Sequence, residues 1–548
     1  MEEFAVDDPT QLLEAAADFA NYPGVRTDAS VKEFFSRFPL PVVINALQAK
    51  AEIPGLENTL VACLDRIFKT KYGASLIPHY MPFVQVGLQA NSQAVRSLAC
   101  KTVTRLLEET DPTTQLAPQL IVDYNIYPLL IECLLNGNEQ VANSSMDAIK
   151  KLAAFPKGME IIFPTNKTEA THLGTVASTC SSLGRVRVMA LIVKLFSVSS
   201  SVASAVYNSN LLNLLESEIS NSNDTLVTLS VLELLYEVYY LLLPDFLFTS
   251  MCIPRLFLLL LVEIEHGTNF LPRTSFLQLL SSIISNRSAE SILRSRAMVI
   301  SGRLLSKENI FSLVDESCVR ILISAIDEIL GSSEGQDVNV CESAFEALGQ
   351  IGSSKWGATL LLSSYPTCVK YVINAAFDRH EHGKQLAAMH ALGNIFGETR
   401  SENDIMLNDN AEENLRDLIY QTASRSPKMT PSGLILAVLQ QDSEIRLASY
   451  RMITGLVPRP WCLMEICSKQ DIINIVSDAS TETTKIGMEA RYNCCLAIHK
   501  TFMSSTRLTG DPALAGIASK LQEAVQNGPY LSRRKLETQP AIMTAERF

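Results

Sequence analysis

The sequence predicts an all-α chain: a HEAT/armadillo-like α-solenoid in which helix pairs stack into a curved, right-handed superhelix. Three observations predict it. One amphipathic phrase recurs about nine times, every 40 to 46 residues. Hydrophobic residues make up 47% of the chain and charged residues 19%, ample for a long core. Glycine (24) and proline (23) are modest in number, which favours helices joined by short turns.

The phrase reads as a polar turn, then apolar residues at helical spacing. Clear copies are Asn91–Glu108, Asn138–Ala154, Leu183–Val198 and Asn223–Val238. More divergent copies are Asn269–Ser282, Asp337–Ser353, Gly383–Gly397, Asp442–Val457 and Thr483–Phe502. From Val95 to Val141 is 46 positions, 45 more reach Val186, and 40 more reach Leu226. Two helices and two turns fit each unit. In Asn91–Glu108 the side chains of Asn91 or Ser92 can cap the helix. Val95, Leu98, Ala99, Thr102, Val103 and Leu106 form one stripe, with Lys101, Arg105 and Glu108 on the other side. Small Ala99 admits a neighbouring helix, as do Ala190, Ala344 and Ala388 in other copies.

In order, residues 1–85 are expected to form N-terminal cap repeats and 86–285 HEAT/ARM-like repeats. An irregular helical insertion is expected over 286–336, where Arg287, Arg294, Arg296 and Arg303 crowd. Further repeats should fill 337–535, broken near 399–433 by a polar loop with one short helix, Glu412–Gln421, and 536–548 should be a flexible tail. The apolar stretch Val231–Val262 contains Glu233, Glu237, Asp245, Arg255 and two prolines. It reads as buried helices, with no membrane span.

Net charge is −12 and the only basic cluster is Arg533-Arg534-Lys535, read as a solvated tail. That disfavours nucleic acid. Twelve cysteines are scattered without CxxC spacing, and Met1–Pro9 is acidic. Both suit a reducing cytoplasmic or nuclear setting.

Chemistry-bearing motifs are absent: no GxxxxGK[ST], GxSxG, HExxH or EF-hand loop. Gly349–Gly357 (GQIGSSKWG) has the wrong spacing for a phosphate loop and reads as one helix ending and another beginning. His380, Glu381, His382 and His390 form the one histidine cluster, read as two solvated imidazoles and one at a helix seam. Adjacent Cys494 and Cys495 point apart on a helix and read as core. No catalytic, cofactor or metal residue is assigned. Candidate partner contacts are polar residues on the second helix of each repeat: Lys101, Arg105, Asp147, Lys150, Arg187, Lys194, Glu233 and Glu237. Each is alternatively an ordinary solvated or internally paired side chain.

Leu183–Val198 (LGRVRVMALIVKLFSV), Tyr207–Leu215, Phe345–Gly352, Arg446–Trp461 (RLASYRMITGLVPRPW) and Gly528-Pro529-Tyr530 occur in this order. With them the chain resembles the 26S proteasome non-ATPase regulatory subunit 5 family, from about Gln89 to Arg534. The resemblance implies a cytosolic, non-catalytic chaperone of regulatory-particle base assembly. It implies binding to the C-terminal domain of one proteasomal ATPase subunit within an early base-assembly module, and departure before the holoenzyme is complete. It implies no nucleotide site, metal or other cofactor, while the acidic charge and the interrupted apolar stretch argue against nucleic acid and membrane as partners. The alternative from the residues is an armadillo-type adaptor for peptides in transport or signalling. Such grooves use ladders of tryptophan and asparagine, whereas only Trp356 and Trp461 occur here.

Overall fold

The computed structural model describes residues 9–48, 54–110, 115–164, 171–220, 224–234, 274–311, 313–332, 337–425 and 430–530. Every regular element among them is helical, and the chain divides into two units, Met1–Ser275 and Phe276–Phe548. Each unit is built as a HEAT/armadillo-like solenoid is built, from helix pairs stacked on their neighbours.

In the first unit a ladder runs through α1 (Pro9–Asn21), α2 (Leu56–Ile67), α3 (Gln93–Glu109), α4 (Glu139–Leu152), α5 (Ser182–Phe196) and α6 (Thr225–Leu234), each against the next. Flanking helices Met81–Leu88, Ile126–Asn136, Leu173–Thr179 and Leu212–Ser220 pack on α3, α4, α5 and α6 in turn. The polar turns of the repeated phrase are N-caps. Ser92, Asn138 and Ser181 accept the N–H groups of Val95, Val141 and Gly184, so each ladder helix starts at a fixed residue. Leu98, Ala99, Val103, Leu106 and Leu107 of α3 are buried, as are Val141, Ala148, Ile149 and Leu152 of α4. Each such Leu or Ile contributes about 1.5–3 kcal/mol through removal from water. Between these helices the Ser97 and Ser144 hydroxyls pair at 3.2 Å.

In the second unit the ladder is α7 (Ser291–Leu304), α8 (Val338–Ile351), α9 (His382–Phe396), α10 (Ser443–Leu456) and α11 (Lys485–Ser504). Here the backbones come close. A Cβ on Gly302 of α7 would lie 2.5 Å from the Ala347 Cα of α8, and one on Gly349 of α8 2.7 Å from the Ala391 Cα of α9. The second glycine of that pair belongs to the GQIG sequence, whose role is therefore helix packing.

Several expectations about particular stretches change. Within 286–336, expected to be irregular, α7 is a regular 14-residue helix and a rung of the ladder. Two of the arginines there serve the packing: Arg294 donates to the Ile284 carbonyl at 3.3 Å, and Arg303 lies 3.5 Å from Glu346 of α8. The short helix expected at Glu412–Gln421 spans Asp409–Ser424. In sequence the run Asn408-Asp409-Asn410 reads as a turn, but Asn408 caps the helix by accepting the Ala411 N–H at 2.9 Å. The apolar stretch from Leu235 onward, the divergent copy's residues 269–273 and the Arg533-Arg534-Lys535 cluster lie outside the described residues.

Close approach at the second ladder has a direct consequence. Gly302→Val should lower the denaturation midpoint by the equivalent of about 1–3 kcal/mol, since Ala347 backbone atoms cannot yield. Gly516→Ala, in the helix Ala515–Asn527 with nothing within 4 Å of the new methyl, should raise it by about 0.4–1 kcal/mol. Urea titrations followed by circular dichroism check both, and shifts of the same sign would refute the packing account.

Candidate partner-binding surface

Lys101 and Arg105 stand four residues apart and share one side of α3. Arg105 donates to Glu108 Oε2 at 2.6 Å, while Lys151 of α4 reaches the other Glu108 oxygen at 3.0 Å. One rung further, Lys194 of α5 lies 3.7 Å from Asp147 of α4. Lys150 is half-buried beside them. Burial pulls its ammonium below the usual lysine range, and Lys194 adds repulsion. A cleft of about 230 Å³ gathers Asp65, Lys69, Lys101, Arg105, Glu108 and Asp147 from the first rungs. The Lys69 ammonium is 2.6 Å from Asp65.

The structure thus brings five predicted residues, Lys101, Arg105, Asp147, Lys150 and Lys194, onto one charged strip of the first unit. Arg187 serves differently. Its guanidinium donates to the carbonyls of Leu134, Leu135 and Gly137 at 3.0, 3.1 and 2.8 Å. It closes the carboxyl end of Ile126–Asn136, where unpaired carbonyls attract a cation. Glu233 is half-buried on α6, and Glu237 lies outside the described residues. Lys69, Glu108 and Lys151 were missed as members of the strip. The signal was present: Asp147 and Lys151 are four apart on α4, and Asp65 is four before Lys69, which lies in the turn after α2.

A larger groove of about 570 Å³ is lined by apolar side chains such as Ile44, Leu64, Phe68, Phe83 and Val86. Its one lining carboxylate among the described residues, Glu57, accepts a hydrogen bond from the Ser92 hydroxyl. The histidines do not converge. His380 is 93% exposed, and His382 points to Asp442 at 3.4 Å. His390 meets Arg451 Nη1 at 3.1 Å across the seam between α9 and α10. His382, Asp442 and Glu444 form an exposed group, but Asp442 already caps α10 by accepting the N–H groups of Glu444 and Ile445. Within GQIGSSKWG, α8 ends at Ile351 and the next helix starts at Lys355, with Ser354 accepting the Gly357 N–H at 3.0 Å. Cys494 and Cys495 are both buried. Burial pushes the Cys495 and Cys467 thiols up to about 11 and Cys63 up to about 12, so these sulfurs are poor nucleophiles.

The distinctive sequence marks of the second unit also find internal roles. Arg459, 1% exposed, grips Glu412 with Nε at 2.7 Å and Nη2 at 3.0 Å. It donates as well to the carbonyls of Gly455 (2.7 Å), Phe396 (3.1 Å) and Ile405 (3.4 Å). Trp461, next but one, packs on Tyr420 with ring centres 5.8 Å apart. Trp356 instead stacks on Phe311 at 4.1 Å. Near the C-terminus, buried Arg491 donates to the carbonyls of Val476 (2.8 Å) and Pro529 (3.3 Å), and the Tyr530 hydroxyl reaches Glu489 at 2.5 Å.

The sequence profile described as "Proteasome non-ATPase 26S subunit" matches residues 56–240, which include α2 to α5 and the charged strip. The bovine 26S proteasome non-ATPase regulatory subunit 5 is 20% identical over 474 residues, covering 86% of this chain and 84% of that protein. The human protein of the same name is 20% identical over 477 residues, with the same coverage. The chain resembles the 26S proteasome non-ATPase regulatory subunit 5 family. The match to the subunit 5 proteins runs across both units, so the likeness is not confined to one block of repeats. Among solved structures, karyopherin Kap121p bound to the extreme C-terminus of the phosphatase Cdc14p aligns with 96% of this chain and 54% of that one, at 11% identity and TM-score 0.47.

Two measurements test these assignments. Arg187→Met removes three hydrogen bonds to helix-end carbonyls and should cost about 1–3 kcal/mol of stability, while Lys194→Met should change it by less than about 0.5 kcal/mol. Urea midpoints for the two proteins compare them directly, and equal midpoints would contradict the capping role. Separately, burial and the Arg451 charge hold His390 below its ordinary pKa. An unfolded imidazole protonates near pH 6.5 and the folded one lower, so the unfolded chain gains a proton first as pH falls. The stability due to neutral His390 is present above about pH 6.5 and is lost as pH falls below that value. His390→Gln should flatten the stability profile across that window, and an unchanged slope would count against this origin.

Proposed function

We propose that this protein is a non-catalytic assembly chaperone for the base of the 26S proteasome regulatory particle, working in the cytosol or nucleus. It binds the C-terminal domain of one ATPase subunit, keeps an early base module from premature contacts, and leaves before the holoenzyme is complete. The observation that carries this reading is the similarity to subunit 5 proteins along 86% of the chain. The fold supports it: stacked helix pairs offer a long, preformed surface at little conformational cost. The strip around Lys101, Arg105, Asp147, Lys150 and Lys194 is the proposed contact region, and the matched profile includes it. The mechanism is steric and reversible. Affinity comes from a few desolvated anchors, with the charged rim setting partner choice and association rate.

Purification of the tagged full-length protein from its own cells, followed by mass spectrometry, tests the reading. The expected co-eluting chains are base ATPases and one large non-ATPase subunit, in stoichiometric amounts and without 20S core subunits. Recovery of intact 26S particles would overturn early release. Importins, transport cargo or signalling proteins in place of proteasome subunits would overturn the chaperone assignment and favour a peptide adaptor.

A further inference from the structure

The charged strip has a sign opposite to that of the chain. Six cations, Lys69, Lys101, Arg105, Lys150, Lys151 and Lys194, stand among three carboxylates, Asp65, Glu108 and Asp147, a local excess of three positive charges. The whole chain carries −12. Such a local reversal raises the concentration of an acidic partner there while the remaining surface repels it.

The spacing of the cations narrows the partner further. Lys101 lies on α3, Lys150 on α4 and Lys194 on α5. Packed helices stand about 8–10 Å apart. A helix crossing them rises 1.5 Å per residue, so it passes one rung about every five to seven residues. Residues seven apart fall on one helical face. An extended strand would pass one rung about every three residues, and alternate contacts would then point away from the surface. A duplex or membrane phosphate array would also fit poorly, because its dense negative charge would press on the three interleaved carboxylates.

We propose that this strip receives an acidic α-helix of a partner protein, lying across α3, α4 and α5 with a carboxylate about every seven residues. Lys150 is the central anchor. It is half-buried on α4, the middle of the three helices, so an incoming carboxylate gives a partner to a cation that is already partly removed from water. Lys101 forms no ion pair among the described residues, and its ammonium is available to the same helix. This deepens the preceding reading and rests on it only for the idea that the strip holds a protein. The test below contains no proteasome component, so either can fail alone.

The probe is a fluorescent alanine-based helical peptide of about 21 residues with glutamates seven apart. Its isomer has the same composition with glutamates scattered round the helix, a third peptide has lysine for glutamate, and a short DNA duplex serves as the phosphate probe. Fluorescence anisotropy with the full-length protein at low salt should show the seven-spaced peptide binding at least about 10-fold tighter than its isomer, with affinity falling as salt rises. Lys101→Gln combined with Lys194→Gln, both solvent-accessible, should weaken it several-fold with an unchanged circular dichroism spectrum. Adding Lys150→Gln should weaken it further. Equal binding of the two isomers, or no binding of the seven-spaced peptide, would overturn the proposal. Tighter binding of the duplex would replace it with a nucleic-acid site.

Discussion

Face-to-face packing of the ladder helices is the constraint on which everything else in each unit depends. A single helix pair leaves its apolar stripe half covered, and only the next pair finishes the burial. This explains the repeated phrase. Its apolar positions close the gap to both neighbours, and its polar turn caps the helix so that the stripe starts in register. The two units meet the constraint in different ways. The α3–α4 seam uses full-sized side chains and a buried hydroxyl pair, whereas α7 to α9 place glycine against alanine backbone.

Buried arginines perform the second structural task, which is to hold chain that is not helical. Arg459 gathers the ends of α9 and α10 and the start of the helix Asp409–Ser424, using every guanidinium nitrogen. Burying that charge is tolerable because Glu412 meets it in a two-pronged pair and carbonyls satisfy its other donors. Arg491 ties the segment around Pro529 to the Val476 carbonyl through two of its guanidinium nitrogens. The Pro460-Trp461 pair and Gly528-Pro529-Tyr530, the most distinctive sequence marks of the family resemblance, therefore sit where the fold is fastened. They report shared architecture more directly than a shared partner contact.

Much of this was legible in the sequence, for physical reasons. A 40-to-46-residue period with helical spacing leaves few alternatives to stacked pairs, and the cap of α3 narrows to Asn91 or Ser92, of which Ser92 is the one used. The side of α3 carrying Lys101 and Arg105 followed from the same spacing. What could not be read was which cations bind the chain itself. Arg187 and Lys194 occupy one face of α5, yet Arg187 turns to the carbonyls ending Ile126–Asn136. That difference depends on where a helix 50 residues earlier in the chain ends, which no local pattern encodes. Asn408-Asp409-Asn410 misled for a related reason: the residues that make turns are also those that start helices.

The central claim is that a preformed helical surface in the first unit holds a folded ATPase domain without chemistry of its own. Hydrogen exchange read by mass spectrometry, with and without each purified base ATPase C-terminal domain, tests it most directly. The account predicts slowed exchange in α3, α4 and α5 with one of these domains, at one-to-one stoichiometry. Unchanged exchange in those helices with every domain, or protection confined to the second unit, would contradict it.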